Sequence, residues 1–204
     1  PAARLGLAAA LLWGALLGAG GGAVLAVSGR MQGLALAERL ARRLGLSESE
    51  IEVLVVAALL HDIGKIGIPD AILAKPGPLT AEEYAKVKQH PALGDAILKP
   101  IASLERERLL LRHHHEWYDG HGYPDGLAGE RIPLGARILQ VADSIDAMAT
   151  TRSYRSGRRA AEVIPELIRC RGTQFDPTVA DAAVEWLRGS PHELLSPREA
   201  RGSS

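Results

Sequence analysis

The chain has 204 residues, 47% of them hydrophobic and only 4% aromatic, enough for one domain with a core of Leu, Ala, Val and Ile plus a small appendage. Lys and Arg number 24, as do Asp and Glu, so no charge excess points to a nucleic-acid polymer as partner. The single Cys170 excludes an internal disulfide and a multi-cysteine zinc site, which makes a reducing compartment, the cytoplasm, the plain expectation.

A chain that begins at Pro1 rather than Met is expected to be a piece of a longer protein. Leu5 to Gly29 holds no charged residue, long enough for a membrane span, which takes about 20 apolar residues. The arginines after it, Arg30, Arg39, Arg42 and Arg43, would put the C-terminal part of the chain on the cytoplasmic side. Gly14, Gly18 and Gly20-Gly21-Gly22 weaken a helix. A buried N-terminal core helix, or a stretch without settled structure, therefore stands beside the span as a reading of residues 1–29.

Met31 to Leu44 is an amphipathic helix that Gly45 ends. Ser47, with Glu50 three residues on, forms a capping box for a second helix. Ile51, Val55, Ala58 and Leu59 are its apolar stripe, and it delivers His61-Asp62 at its C-terminal end. Ile66 to Pro78 reads as loop, with Pro69, Pro76 and Pro78. Thr80 and Glu83 cap a helix through Gln89; further helices are expected over Ala92–Leu104 and Glu105–His115. Trp117 to Glu130 is a glycine-rich loop. Pro133 opens a helix to about Thr150, with Ile138, Val141, Ile145 and Met148 inward and Asp143 and Asp146 three apart on one side. Thr151 to Gly157 is a basic loop carrying Arg152 and Arg155. Helices near 159–171 and 177–188, the last capped by Asp176, complete a domain over 30–188; 189–204 is a frayed tail. No repeat and no strand pattern occurs, so the fold class is all-α.

An adjacent imidazole and carboxylate, about 100° apart on a helix, can turn toward one cation, and their donor atoms suit iron, zinc, nickel or manganese. His61-Asp62 alone is a common dipeptide. His90, the run His113-His114-His115-Glu116, the loop Asp119–Pro124 and Asp143 give it weight. His90 alone could simply start a helix, and the His run could be an exposed polar patch. Asp143 lies among Ile138, Leu139, Val141 and Ile145, where a carboxylate is costly unless paired or metal-bound. His61, Asp62, His90, His114, His115 and Asp143 could together hold two divalent cations. His113 and His121 are surplus to that set. Two cations about 3.5–4 Å apart clamp a phosphate and acidify a bridging water, which suits phosphodiester hydrolysis. Lys65, one turn beyond His61, could neutralise a phosphate oxygen.

The stretches Leu60–Lys65, Ile68–Thr80, His90–Gly94, His114–Glu116, Asp119–Leu127, Ile132–Asp143 and Gly172–Pro177 closely resemble the HD-GYP family of cyclic-di-GMP phosphodiesterases over residues 30–188. The resemblance implies an HD-type helical bundle with a two- or three-metal centre, usually iron or manganese. It assigns His61, Asp62, His90, His114, His115 and Asp143 as ligands, with Asp62 as a bridge. It puts Lys65 on the substrate phosphate, Asp146, Arg152 and Arg155 on the dinucleotide, and Gly122-Tyr123-Pro124 in the family's named loop. The implied reaction hydrolyses cyclic di-GMP to pGpG, and often on to GMP. A GGDEF-domain cyclase or other signalling protein, and a second copy of the chain, are the partners it leaves open. Three departures stand out. Val27 occupies the position of a first-helix His ligand, Ala23 that of a Glu found in trinuclear members, and Thr151 that of an Asp. The rival readings are a catalytically impaired signalling module of the same fold and a phosphohydrolase for other nucleotides.

Overall fold

The computed structural model of the protein describes residues 23–149 and 160–189, with side chains over 33–149 and 162–189. Nine α-helices lie in the described residues: α1 (Ala23–Arg43), α2 (Glu48–Leu60), α3 (Asp70–Leu73), α4 (Ala81–Val87), α5 (His90–Leu98), α6 (Glu105–Arg112), α7 (Leu134–Ala149), α8 (Ala160–Arg169) and α9 (Pro177–Gly189). Tight 3-10 turns occupy Ile63–Gly67, Ala102–Leu104 and Gly129–Arg131. One isolated bridge, Arg171 to Phe175, is the only strand-like pairing among the described residues, so the all-α expectation holds.

The helix starts follow their capping chemistry. Ser47 with Glu50, and Thr80 with Glu83, each make both halves of the capping box. Asp176 accepts from the amides of Thr178 (2.7 Å) and Val179 (3.2 Å) at the head of α9. Gly45 closes α1 at φ +78°, a conformation that costs glycine nothing. The Pro133 carbonyl takes the first two bonds of α7, from Ala136 and Arg137.

Four expectations need correction. The stretch 66–78 is not all loop, because α3 and the 3-10 turn Ile63–Gly67 fold within or at the edge of it. The helix read as Ala92–Leu104 begins two residues earlier and ends at Leu98, since Pro100 lacks the amide to continue. The helix read as Glu105–His115 stops at Arg112, because the His113 imidazole bonds the carbonyl of Leu109 and the His114 imidazole that of Leu111, capping its last turn. Finally, α2 has no narrow apolar stripe: Ile51, Val53, Leu54, Val56, Ala57, Ala58 and Leu60 are all buried, with Val55 and Leu59 half-buried. A helix apolar all round is a central one.

That central position organises the bundle. Helix α2 packs on α1, α6 and α7; α1 lies along α7; and α5 lies against α6 and the 63–67 turn. The main core gathers Leu40, Leu54, Ile138, Ile145, Phe175 and Leu187 from α1, α2, α7, α9 and the 170–175 turn. A smaller core of Val56, Leu60, Ile63, Leu98, Leu104 and Leu111 holds α2, α5 and α6 together. Each fully buried Leu or Ile contributes about 1.5–3 kcal/mol. This second cluster brackets in sequence the residues that carry chemistry: Leu60 and Ile63 flank His61-Asp62, and Leu111 precedes the His run.

The expectations for residues 5–22, Arg152, Arg155, Thr151 and the tail from 190 fall outside the described residues. Ala23 and Val27 lie in α1, without described side chains. Among the described residues no helix is long and apolar enough to cross a membrane.

Candidate metal centre

The end of α2, the start of α5, the exit of α6 and the middle of α7 converge on one pocket. His61, His90 and His114 each turn Nδ1 back to the carbonyl three residues earlier: Ala58 (2.7 Å), Val87 (2.9 Å) and Leu111 (2.6 Å). A carbonyl can only accept, so each Nδ1 carries a proton and each Nε2 is aimed at the pocket with its position fixed. His90 Nε2 and His114 Nε2 are fully buried and have no hydrogen-bond partner. A buried nitrogen left in that state costs about 1–3 kcal/mol, and a cation is the partner that removes the cost.

The donor atoms form two overlapping groups, each within 4.8 Å: His90, His114 and His115 in one, His61, Asp62 and His114 in the other. Asp62 turns Oδ1 toward His90 Nε2 at 3.6 Å and Oδ2 toward His61 Nε2 at 3.7 Å. Asp143 Oδ1 stands 3.6 Å from His61 Nε2. These separations are too long for hydrogen bonds and are the spacing of donors that share an ion. Lys65 Nζ sits 2.7 Å from Asp62 Oδ2, a positive charge already held against the carboxylate.

The electrostatics follow from this arrangement. Burial alone would depress His61, but the charges of Asp62 and Asp143 outweigh it and push the imidazole up to about 9. Burial pushes His90 down, pushes His114 well below the usual range, and pulls His115 down to about 3. These three are neutral imidazoles, the form that binds metal. Burial would raise Asp143, yet its pairing with His61 holds it below the ordinary carboxylate range. The residues therefore fit divalent cations: nitrogen and carboxylate oxygen donors, two of the nitrogens orphaned.

Asp146, one turn after Asp143 on α7, faces α1; a Cβ on Gly33 would lie 3.4 Å from the Asp146 Cβ. The Gly122-Tyr123-Pro124 loop is part of the same wall. The Tyr123 ring lies 5.0 Å from that of His115, its amide donates to the His115 carbonyl (3.2 Å), and the Tyr123-Pro124 peptide is cis. The exposed His121 turns Nδ1 to Asp119 at 3.2 Å, and His113 turns Nε2 to Asp125 at 2.9 Å.

Sequence reasoning missed three residues that shape the site. Gly64 is squeezed so tightly that a Cβ there would lie 1.9 Å from the His90 carbonyl oxygen. Glu116 is buried, and its carboxylate accepts from the amides of Asp125 (2.7 Å) and Leu127 (3.1 Å). Asp125 receives both arms of Arg112 at 2.8 Å. His113, Glu116 and Asp125 also bring donor atoms within 4.8 Å of one another, but their oxygens already accept from amides, Arg112 and His113. The available signal was an acidic residue placed directly after a His run and followed by a glycine loop.

The family model for the HD domain matches residues 24–179. The chain belongs to the HD domain family. Its Gly-Tyr-Pro loop is a feature on which the resemblance to the HD-GYP class rests. This HD domain is 46% identical over 151 residues to the "Cyclic di-GMP phosphodiesterase response regulator RpfG" of Xanthomonas campestris, covering 73% of this chain and 39% of that protein. It is 44% identical over 151 residues to a "Cyclic di-GMP phosphodiesterase" of Thermotoga maritima, covering 72% and 40%. It is 39% identical over 152 residues to the "3'3'-cGAMP-specific phosphodiesterase 2" of Vibrio cholerae, covering 72% and 29%. The chain thus spans about two fifths of the first two relatives' length. Among solved structures, Bd1817, a HDG"Y"P protein from Bdellovibrio bacteriovorus, superposes with a TM-score of 0.64 at 22% identity, covering 79% of this chain and 52% of that one. At that identity the likeness speaks to the HD fold alone.

Proposed function

We propose that the domain over 30–188 is a metal-dependent phosphodiesterase that opens cyclic di-GMP to pGpG. The observation that carries this reading is the pair of buried, partnerless imidazole nitrogens of His90 and His114 beside the Asp62 carboxylate. Nothing in a purely structural core calls for that arrangement. His61, Asp62, His90, His114, His115 and Asp143 would hold two divalent cations, iron or manganese. When bound, such ions acidify a water and polarise a phosphoryl oxygen.

The remaining work falls to the chain's own side chains. Lys65 supplies an ammonium that leaves Asp62 to neutralise a non-bridging phosphate oxygen as charge develops there. The carbonyls of Ala58, Val87 and Leu111 keep three imidazoles from rotating. Tyr123 and Pro124 give a planar, largely apolar wall against which a guanine can lie. Asp146, Arg152 and Arg155 hold the dinucleotide, the guanidinium forks matching phosphate and guanine edges. The relatives' names support cyclic di-GMP, and the Vibrio cholerae relative makes 3'3'-cGAMP the second substrate to weigh.

The test is anaerobic purification with metal quantification, then turnover of cyclic di-GMP and 3'3'-cGAMP on the same sample. The wild type is expected to hold about two ions per chain and release pGpG, while Asp62→Ala is expected to lose both the ions and turnover. Bound metal without turnover of either dinucleotide would favour the signalling-module reading instead.

A further inference from the structure

A carboxylate with almost no solvent exposure is expensive unless something charged or hydrogen-bonded meets it. Glu116 is 1% exposed, and what meets its carboxylate is backbone: Oε1 takes the Asp125 amide at 2.7 Å and Oε2 the Leu127 amide at 3.1 Å. Both amides lie just beyond Gly122-Tyr123-Pro124. The near end of the loop is fixed by packing: a Cβ on Gly122 would lie 2.1 Å from the Trp117 nitrogen and 2.5 Å from the Glu116 Cα. The far end has a second hold, the Arg112 fork on Asp125, with His113 Nε2 on the same carboxylate at 2.9 Å. Between these holds sits Tyr123, its ring beside that of His115. The Glu116 backbone is itself tied to α7 by the Gln140 amide.

We infer that Glu116 is a positioning residue for substrate: its carboxylate folds the 117–130 loop so that Tyr123 presents its face to a nucleobase. This rests on the phosphodiesterase reading above. Glu116 does not touch the reacting phosphate; it acts through Tyr123. Its chemistry is specific. Two convergent N–H donors need two acceptor oxygens, and Gln at this position would turn an NH2 toward one of them, replacing a bond with a donor-donor clash. An ordered loop bears on binding of the base, whereas the imidazoles of the pocket are held by their own carbonyls.

The experiment compares metal-loaded wild type, Glu116→Gln and Glu116→Asp. Amide hydrogen exchange across 117–130, metal per chain, and KM and kcat for cyclic di-GMP are measured on the same samples. For Glu116→Gln, exchange at 125–127 and KM are each expected to rise about tenfold, near the cost of one charge-assisted bond, with metal content unchanged and kcat within about threefold. Glu116→Asp, which keeps both acceptor oxygens, is expected to recover part of each loss. Unchanged exchange in Glu116→Gln overturns the proposal whether or not the wild type turns over any dinucleotide. A loss of metal in step with activity overturns it too, because the carboxylate would then serve the metal ligands. A wild type inactive on cyclic dinucleotides would sink the phosphodiesterase reading and leave the exchange result to decide the loop's anchor.

Discussion

His114 marks the driest point of the pocket, with no solvent exposure and an Nε2 that meets no donor or acceptor. In a metal-free protein that nitrogen is a liability. Removing it should therefore cost less than deleting a buried side chain usually does. His114→Leu gives up the bond to the Leu111 carbonyl, worth about 1 kcal/mol, and removes an unsatisfied group that costs about 1–3 kcal/mol. The metal-free variant is expected to unfold in urea within about 1 kcal/mol of the metal-free wild type. The difference should appear on adding Mn2+: at a free concentration 100 times its Kd the wild type gains about 2.7 kcal/mol, and the variant none. A variant several kcal/mol weaker without metal would mean that His114 is an ordinary packing residue.

Between elements, the decisive contact is backbone on backbone. The turn Ile63–Gly67 lies on the first turn of α5 so closely that Gly64 has no room for a methyl, its ideal Cβ falling 1.9 Å from the His90 carbonyl oxygen and 2.5 Å from the Gly94 nitrogen. This approach brings Asp62, at the head of the turn, to His90, at the head of α5. Gly64→Ala is expected to destabilise by about 3 kcal/mol or more, the upper range for overpacking, and to lose metal because His90 moves. Gly189→Ala at the end of α9, where a Cβ meets nothing within 4 Å, is the matched control and should change little. Urea unfolding and metal content check both.

The same contact shows what a sequence can carry. Caps are local, so Ser47, Thr80 and Asp176 declare themselves within four residues. The histidines and aspartates declare themselves by chemistry that has few other uses on apolar helices. Gly64 looks like any turn glycine, because the atom it must avoid belongs to a residue 26 positions away. Glu116 reads as the polar end of a His run, because the amides it accepts lie across a loop whose shape the sequence does not spell out. Helix ends set by imidazole-to-carbonyl bonds, as at Arg112, are hidden for the same reason.

Across the whole molecule, a string of ion pairs and hydrogen bonds ties three elements: Arg108 to Asp95 of α5, Arg112 to Asp95 and to Asp125 of the loop, and His113 Nε2 to Asp125. The Arg112 fork holds Asp125 below its ordinary value against the opposing effect of burial, and the His113 bond adds to the lowering. A carboxylate depressed in the fold contributes stability above its unfolded pKa and loses it as pH falls through the lowered folded value. The exposed pair Arg171–Asp181 and the half-buried pair Lys75–Glu83 pull their carboxylates in the same direction, each worth little alone. At pH 7 the 24 acidic side chains balance the 24 basic ones; in acid that balance gives way to a strongly positive chain, and repulsion adds to the loss. Wild-type stability in urea is therefore expected to fall below about pH 6.5, where unfolded imidazoles charge while the buried His90, His114 and His115 resist a proton, and to fall more steeply below about pH 4, where unperturbed carboxylates titrate. Asp125→Asn should start lower at pH 7 and fall less, because it has no pairing left to lose. Raising salt to about 0.5 M should narrow the gap between the two proteins at pH 7, since partly exposed charges are screened over a few ångströms at that strength. Equal acid slopes for the two proteins would show that the Arg112–Asp125 fork is a surface ornament rather than part of what closes the loop over the site.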